Sequence, residues 1–220
     1  MISGRPARLL PALLLLLTVL LLPVASRAQT TVQAPPVLSG TWETDCLAID
    51  FLPAYCAKVR VWFTGDTMNT QATLMSYEQD QVLGTITSLA RLRSAAVVAS
   101  PSSSPSPTPA ATGGRATLSV RYAIETTDLT PQSADGVLFA NLFALACNAP
   151  SWQSGSTRSL LGLQCRDFLF APAGFEADDR ITVSGSDLTF RCYPFVNPVE
   201  GQDTCSAHTP PVFHRLDSRR

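Results

Sequence analysis

Thr117-Leu118-Ser119-Val120-Arg121-Tyr122-Ala123-Ile124-Glu125 is the stretch that decides the fold class. Leu118, Val120, Tyr122 and Ile124 alternate with Thr117, Ser119, Arg121, Ala123 and Glu125. Period-2 alternation of this kind predicts a strand with one face buried and one in water. Working back along the chain, Val59, Val61 and Phe63 alternate with Lys58, Arg60, Trp62 and Thr64. Thr64-Gly65-Asp66 then reads as a tight turn into a Thr-rich strand over residues 68–77. Working forward, Ile181 and Val183 run into Ser184-Gly185-Ser186-Asp187, and Leu188, Phe190 and Cys192 leave it on alternate positions. Both are hairpins in which Gly supplies the turn. Residues 82–92 and 161–170 carry weaker strand signals. The fold class read from this pattern is mainly β.

One stretch reads as a helix. Val137, Leu138, Phe139, Leu142, Phe143, Leu145 and Cys147 cover most of its circumference, and Ser133 or Asp135 can cap it. A helix apolar nearly all round is expected to be buried, here as a single short helix plugging or flanking the sheet. Residues 137–147 are too few to span a membrane and are interrupted by Asn141.

The N-terminus has the three parts of a secretory signal peptide in order. Arg5 and Arg8 precede an apolar run over residues 9–22, and Ser26 and Ala28 stand at the positions a signal peptidase reads. Cleavage after Ala28 is expected, leaving residues 29–36 as a flexible lead-in and a secreted chain of 192 residues. The leader carries Arg5, Arg8 and Arg27 and no acid, so basic residues fall from 16 to 13 against 17 acids. The net charge of about −4 and the scattered arginines argue against nucleic acid or an anionic membrane as partner.

The mature part holds all six cysteines: Cys46, Cys56, Cys147, Cys165, Cys192 and Cys205. An even number in an exported chain points to disulfides. Six cysteines allow 15 connectivities. Sequential pairing, Cys46–Cys56, Cys147–Cys165 and Cys192–Cys205, is favoured because each bond staples a short loop. Zinc is disfavoured, since there is no C-x-x-C pair and the histidines are His208 and His214 alone.

Between the patterned regions lies Ser100-Pro-Ser-Ser-Ser-Pro-Ser-Pro-Thr-Pro109, followed by Ala-Ala-Thr-Gly-Gly114. With nothing to bury, residues 94–114 are expected to form a disordered loop inside one β domain over residues 37–217. Two small disulfide-stapled domains are the alternative. Its Ser-Pro and Thr-Pro pairs are candidate O-glycosylation sites, and the chain contains no N-x-S/T sequon.

Gly40-Thr41-Trp42 with Cys46, Val61-Trp62-Phe63-Thr64-Gly65-Asp66-Thr67 and Ser76-Tyr77 resembles the opening of the lipocalin-like domains of APCDD type and their small exported microbial relatives. Leu129-Thr130-Pro131, Cys147 with Trp152, and Leu161-Gly162-Leu163-Gln164-Cys165 resemble the middle of such domains. Val183 to Phe190 and Pro210-Pro211-Val212-Phe213-His214-Arg215-Leu216 resemble their end. The likeness is spread over most of residues 37–217 and is made of short motifs. It departs in two places. Glu78-Gln79-Asp80-Gln81 stand where the relatives carry a cysteine, and the Ser/Pro segment is an insertion. The resemblance implies a lipocalin-like antiparallel barrel or half-barrel in which Trp42 packs across the closed end beneath Arg215, a structural pair.

Catalytic constellations are absent. The chain lacks G-x-S-x-G, H-E-x-x-H and the glycine patterns of phosphate and dinucleotide binding. His208 and His214 read as surface or hydrogen-bonding residues. Glu176, Asp178 and Asp179 read as a solvated loop before a strand, too few for calcium. The expectation is therefore a non-enzymatic binding protein without metal or cofactor, taking an apolar small molecule or lipid-bearing partner in the barrel. Val59, Val61, Phe63, Leu118, Val120, Tyr122 and Ile124 are the inward candidates. The rival expectation is an extracellular structural or interaction protein with a glycosylated Ser/Pro spacer. Signalling antagonism, associated with multi-domain anchored proteins of APCDD type, is not carried over to a chain with room for one such domain.

Overall fold

The structure is a computed structural model that describes residues 32–49, 52–77, 81–98, 115–165, 168–192 and 210–216. The expected signal peptide (residues 1–28), residues 99–114 of the Ser/Pro segment, Cys205, His208 and the side chain of Cys165 lie outside the described residues.

The strands are β1 (Thr41–Thr44), β2 (Leu47–Ile49), β3 (Leu52–Thr64), β4 (Thr67–Ser76), β5 (Val82–Val97) and β6 (Arg115–Pro131). The helix α1 (Ala134–Ala146) follows. Then come β7 (Arg158–Ser159), β8 (Gln164–Cys165), β9 (Phe168–Leu169), β10 (Glu176–Ser184), β11 (Asp187–Phe190) and β12 (Val212–Arg215). Eight of these form a closed antiparallel ring in the order β1-β12-β11-β10-β6-β5-β4-β3, and β3 pairs back onto β1 to shut it. This is the closed form of the lipocalin-like barrel, not the half-barrel. An eight-stranded barrel leaves an interior that side chains can just fill.

The alternating patterns produce the wall as expected. Leu118, Val120, Tyr122 and Ile124 are buried, as are Val59 and Val61, while Phe63 packs half-buried against the same cluster. Outward arginines find acids. Arg121 donates to Asp178 at 2.8 Å, and Arg91 reaches Asp66 at 2.6 Å and Glu125 at 2.5 Å. Gly65 and Gly185 hold φ of 59° and 61° at the β3–β4 and β10–β11 turns, a region costly for side chains with a Cβ.

Several expectations are corrected. First, the described residues of the expected lead-in, 32–36, lie against the barrel. The Ala34 amide donates to the Gly65 carbonyl at 2.8 Å, and Val32 and Ala34 pack on the core. Second, β5 runs beyond Arg93. Ala95, Ala96 and Val97 pair with Val120, Ser119 and Leu118, so the strand outlasts the point where the expected loop began. The long β6 offers backbone partners there, and pairing satisfies them. Third, residues 161–170 contribute no barrel strand. They form the separate two-residue pair β8–β9, and Gly162 just before it has φ of 70°.

The acidic cluster is also placed differently. Glu176, Asp178 and Asp179 lie within β10. Asp179 is 3 % exposed, and its Oδ1 accepts the amides of Arg180, Arg191 and Cys192 at 2.6–3.1 Å. Backbone donors supply what a buried carboxylate needs, so this acid is a fastening for the β10–β11 end.

The helix is not fully buried. Ser133 accepts the Gly136 amide at 3.0 Å as its N-cap. Phe139, Ala140 and Ala144 are buried against the sheet, but Leu138, Leu142 and Leu145 are 64 %, 57 % and 83 % exposed. Uniform apolar composition means that the sequence offers no polar face to turn outward, so leucines take it.

Candidate functional site

The barrel interior is divided into two apolar layers. One, at the Trp42 end, contains Trp42, Met68, Tyr122, Ile181, Phe190 and Phe213 among others, all buried. The other, at the α1 end, contains Leu74, Leu83, Leu129, Phe139, Trp152 and Leu160. A row of hydroxyl side chains crosses between them. Thr70 pairs with Ser88, and Ser88 with Thr127, on adjacent strands. Ser88 Oγ donates to the Thr126 carbonyl at 2.9 Å and lies 3.2 Å from Thr127 Oγ1.

At the first end large side chains pack into the interior. Phe190 and Phe213 meet edge to face at 5.4 Å between centroids. The Arg215 guanidinium carbon lies 4.3 Å from the Trp42 ring centroid. Trp42 Nε1 donates to the Leu38 carbonyl at 3.3 Å, and Arg215 Nη2 donates to the Val37 carbonyl at 3.4 Å. Both carbonyls belong to the short 3-10 turn Pro36–Leu38, so one turn takes the polar tips of both side chains. The inward candidates Val59, Val61, Phe63, Leu118, Val120, Tyr122 and Ile124 are all brought together here, as packing.

The α1 end is built differently. The helix lays Phe139, Ala140 and Ala144 on Leu74, Leu83 and Leu129, and the Tyr55 and Phe139 rings approach to 6.3 Å. Gly136 permits this approach. A Cβ at that position would stand 2.6 Å from the Leu83 carbonyl carbon. Asn141 fastens the loop after the helix, its Oδ1 accepting the Trp152 amide at 2.6 Å and its Nδ2 donating to the Trp152 carbonyl at 3.4 Å. The residue that interrupts the apolar run in sequence is thus a clamp. Arg158 lies over the Trp152 ring at 5.6 Å. This layer is held by side-chain packing and the Asn141 clamp, where the ring is held by strand pairing.

An outer cleft of about 300 Å³ lies beside the Cys46–Cys56 disulfide, with Lys58, Met75 and Tyr77 in its lining. Its size is at the lower edge of small-molecule sites. Cys147 and Cys192 are each disulfide-bonded, and the described residues include no free cysteine. Glu43 on β1 is the cross-strand partner of Arg60 on β3, with Arg60 Nη2 at 2.7 Å and Lys58 Nζ at 3.3 Å. Burial pushes its carboxyl up, but the hydrogen bonds and charges of Arg60 and Lys58 outweigh that and leave it below the ordinary range.

Chemistry-bearing groups are dispersed. His214 Nδ1 lies 2.9 Å from Asp187 on the neighbouring strand. Among the described residues no three His, Cys, Asp or Glu side chains gather where they could hold a metal ion. No described helix is long and apolar enough to cross a membrane. Against known proteins, the chain matches no family model and no curated protein.

Proposed function

We propose that this chain is a secreted, non-enzymatic binding protein of lipocalin-like, APCDD-related type, taking an apolar small molecule or a lipid-bearing partner. One observation carries the reading. The closed barrel has one end held by Trp42, Arg215 and the N-terminal turn, and the other covered by α1, which packs Phe139, Ala140 and Ala144 on Leu74, Leu83 and Leu129. An apolar ligand that replaces Phe139 on those leucines exchanges one apolar contact for another, at little cost in desolvation. The ligand site is therefore assigned to the α1 layer. The test is native mass spectrometry of the protein secreted by its own host, before and after solvent extraction. A stoichiometric apolar passenger supports the reading and names the ligand class.

A second reading has its own observation. The Trp42 layer is packed with large buried side chains, Trp42, Met68, Tyr122, Phe190 and Phe213 among them. That favours an extracellular interaction protein that works through its surface, with the Ser100–Thr108 region as an O-glycosylated spacer. A clean apo mass that does not shift with mixed lipids, together with glycan mass on that segment, selects this reading.

A further inference from the structure

Leu138, Leu142 and Leu145 form a single exposed stripe on α1, opposite the buried Phe139, Ala140 and Ala144. Their spacing, i, i+4 and i+7, is that of consecutive seam positions in a heptad, which is the spacing another helix reads. The helix carries one charged residue, Asp135, and it lies at the N-terminal end of the same exposed face. Interfacial helices that lie on membranes are bordered by Lys and Arg; α1 has neither. A self-complementary interface sets each group against its own symmetry mates, so a charged face repels itself and a neutral one does not.

We propose that α1 pairs with the same helix of a second copy of this chain, antiparallel, about a two-fold axis near Leu142. Leu138 then packs near the partner's Leu145. The antiparallel sense follows from Asp135, because a parallel pair sets the two carboxylates side by side and an antiparallel pair puts them at opposite ends. Three leucines make a seam smaller than the roughly 800 Å² per partner of a stable interface. The dimer is accordingly weak and concentration-dependent, and separates in dilute solution.

Sedimentation velocity on the full mature chain, from micromolar to millimolar concentration, tests this. The dimer fraction rises with concentration. Leu142→Glu weakens association by about tenfold or more with an unchanged near-ultraviolet circular dichroism spectrum, and Thr87→Glu on the barrel wall leaves association as it was. Leu145→Gln, at the most exposed of the three positions, repeats the comparison should Leu142→Glu fail to fold. A chain monomeric throughout overturns the proposal, and so does a dimer indifferent to both leucine variants. A monomer that binds phosphatidylcholine vesicles through these leucines also overturns it, with lipid as the occupant.

Discussion

Arg215 and Trp42 are direct cross-strand partners on β12 and β1, and the guanidinium carbon lies 4.3 Å from the indole centroid. The pair joins the last barrel strand to the first and hands both polar tips to the Pro36–Leu38 turn. Trp42→Ala is expected to cost about 3–5 kcal/mol, as for other buried Trp truncations. Arg215→Ala costs less. A double-mutant cycle by urea denaturation should show a coupling of about 0.5–2 kcal/mol. Strictly additive losses would remove the stacking from the account of this end.

Glu43 links stability to acid. Its folded carboxyl is held below the ordinary value of 4.5 by Arg60 and Lys58, so its contribution is complete above pH 4.5. That contribution is lost as pH falls through the lower folded value. Glu43→Gln should therefore cost about 1 kcal/mol at neutral pH and nothing at the acid limit. Urea midpoints of the two proteins, measured from neutral pH downward, should converge. A gap that stays constant with pH assigns the loss to packing.

The Cys46–Cys56 disulfide closes a loop with a sequence separation of 10 and ties the loop after β1 to β3. On the chain-entropy model, replacing both cysteines by serine should cost about 3 kcal/mol. Thermal unfolding of the double variant, in which the four remaining cysteines are untouched, measures it. No change in the midpoint would mean that the strand pairing of β2 on β3 already restricts this loop.

Gly136 and Asn141 hold α1 in place. Gly136→Ala drives a Cβ into the backbone of Leu83, which cannot rotate away, and should cost about 1–3 kcal/mol. Asn141→Ala leaves the Trp152 amide without its acceptor and should cost a similar amount, about 1–3 kcal/mol. Tryptophan fluorescence should report both through Trp152, with the Trp42 end unaffected. If both variants melt like the parent protein with unchanged emission, the helix contributes little to the barrel.

The strand pattern was legible where alternation is strict. Leu118 to Ile124 and Val59 to Phe63 point inward because a period of two leaves each side chain no other choice. The pattern stopped being legible at Glu125. A bulge there slips the register between Leu89 and Ala90, so Leu129 comes to the interior on the opposite parity. Asp179 was misread for a related reason. A charged residue in an apolar alternation looks like solvent, and only the amides of Arg191 and Cys192, brought back by the β10–β11 hairpin, make it an interior group.

By itself the sequence determined the mainly β class, the two glycine hairpins and the presence of one helix, because these rest on contacts between neighbours along the chain. Tertiary structure alone decided that β1 and β3 close the ring, that Gly136 lets the helix onto Leu83 and that three leucines of that helix face outward. A uniformly apolar helix has no pattern to say which side is buried, so the choice falls to whatever the rest of the chain places beside it.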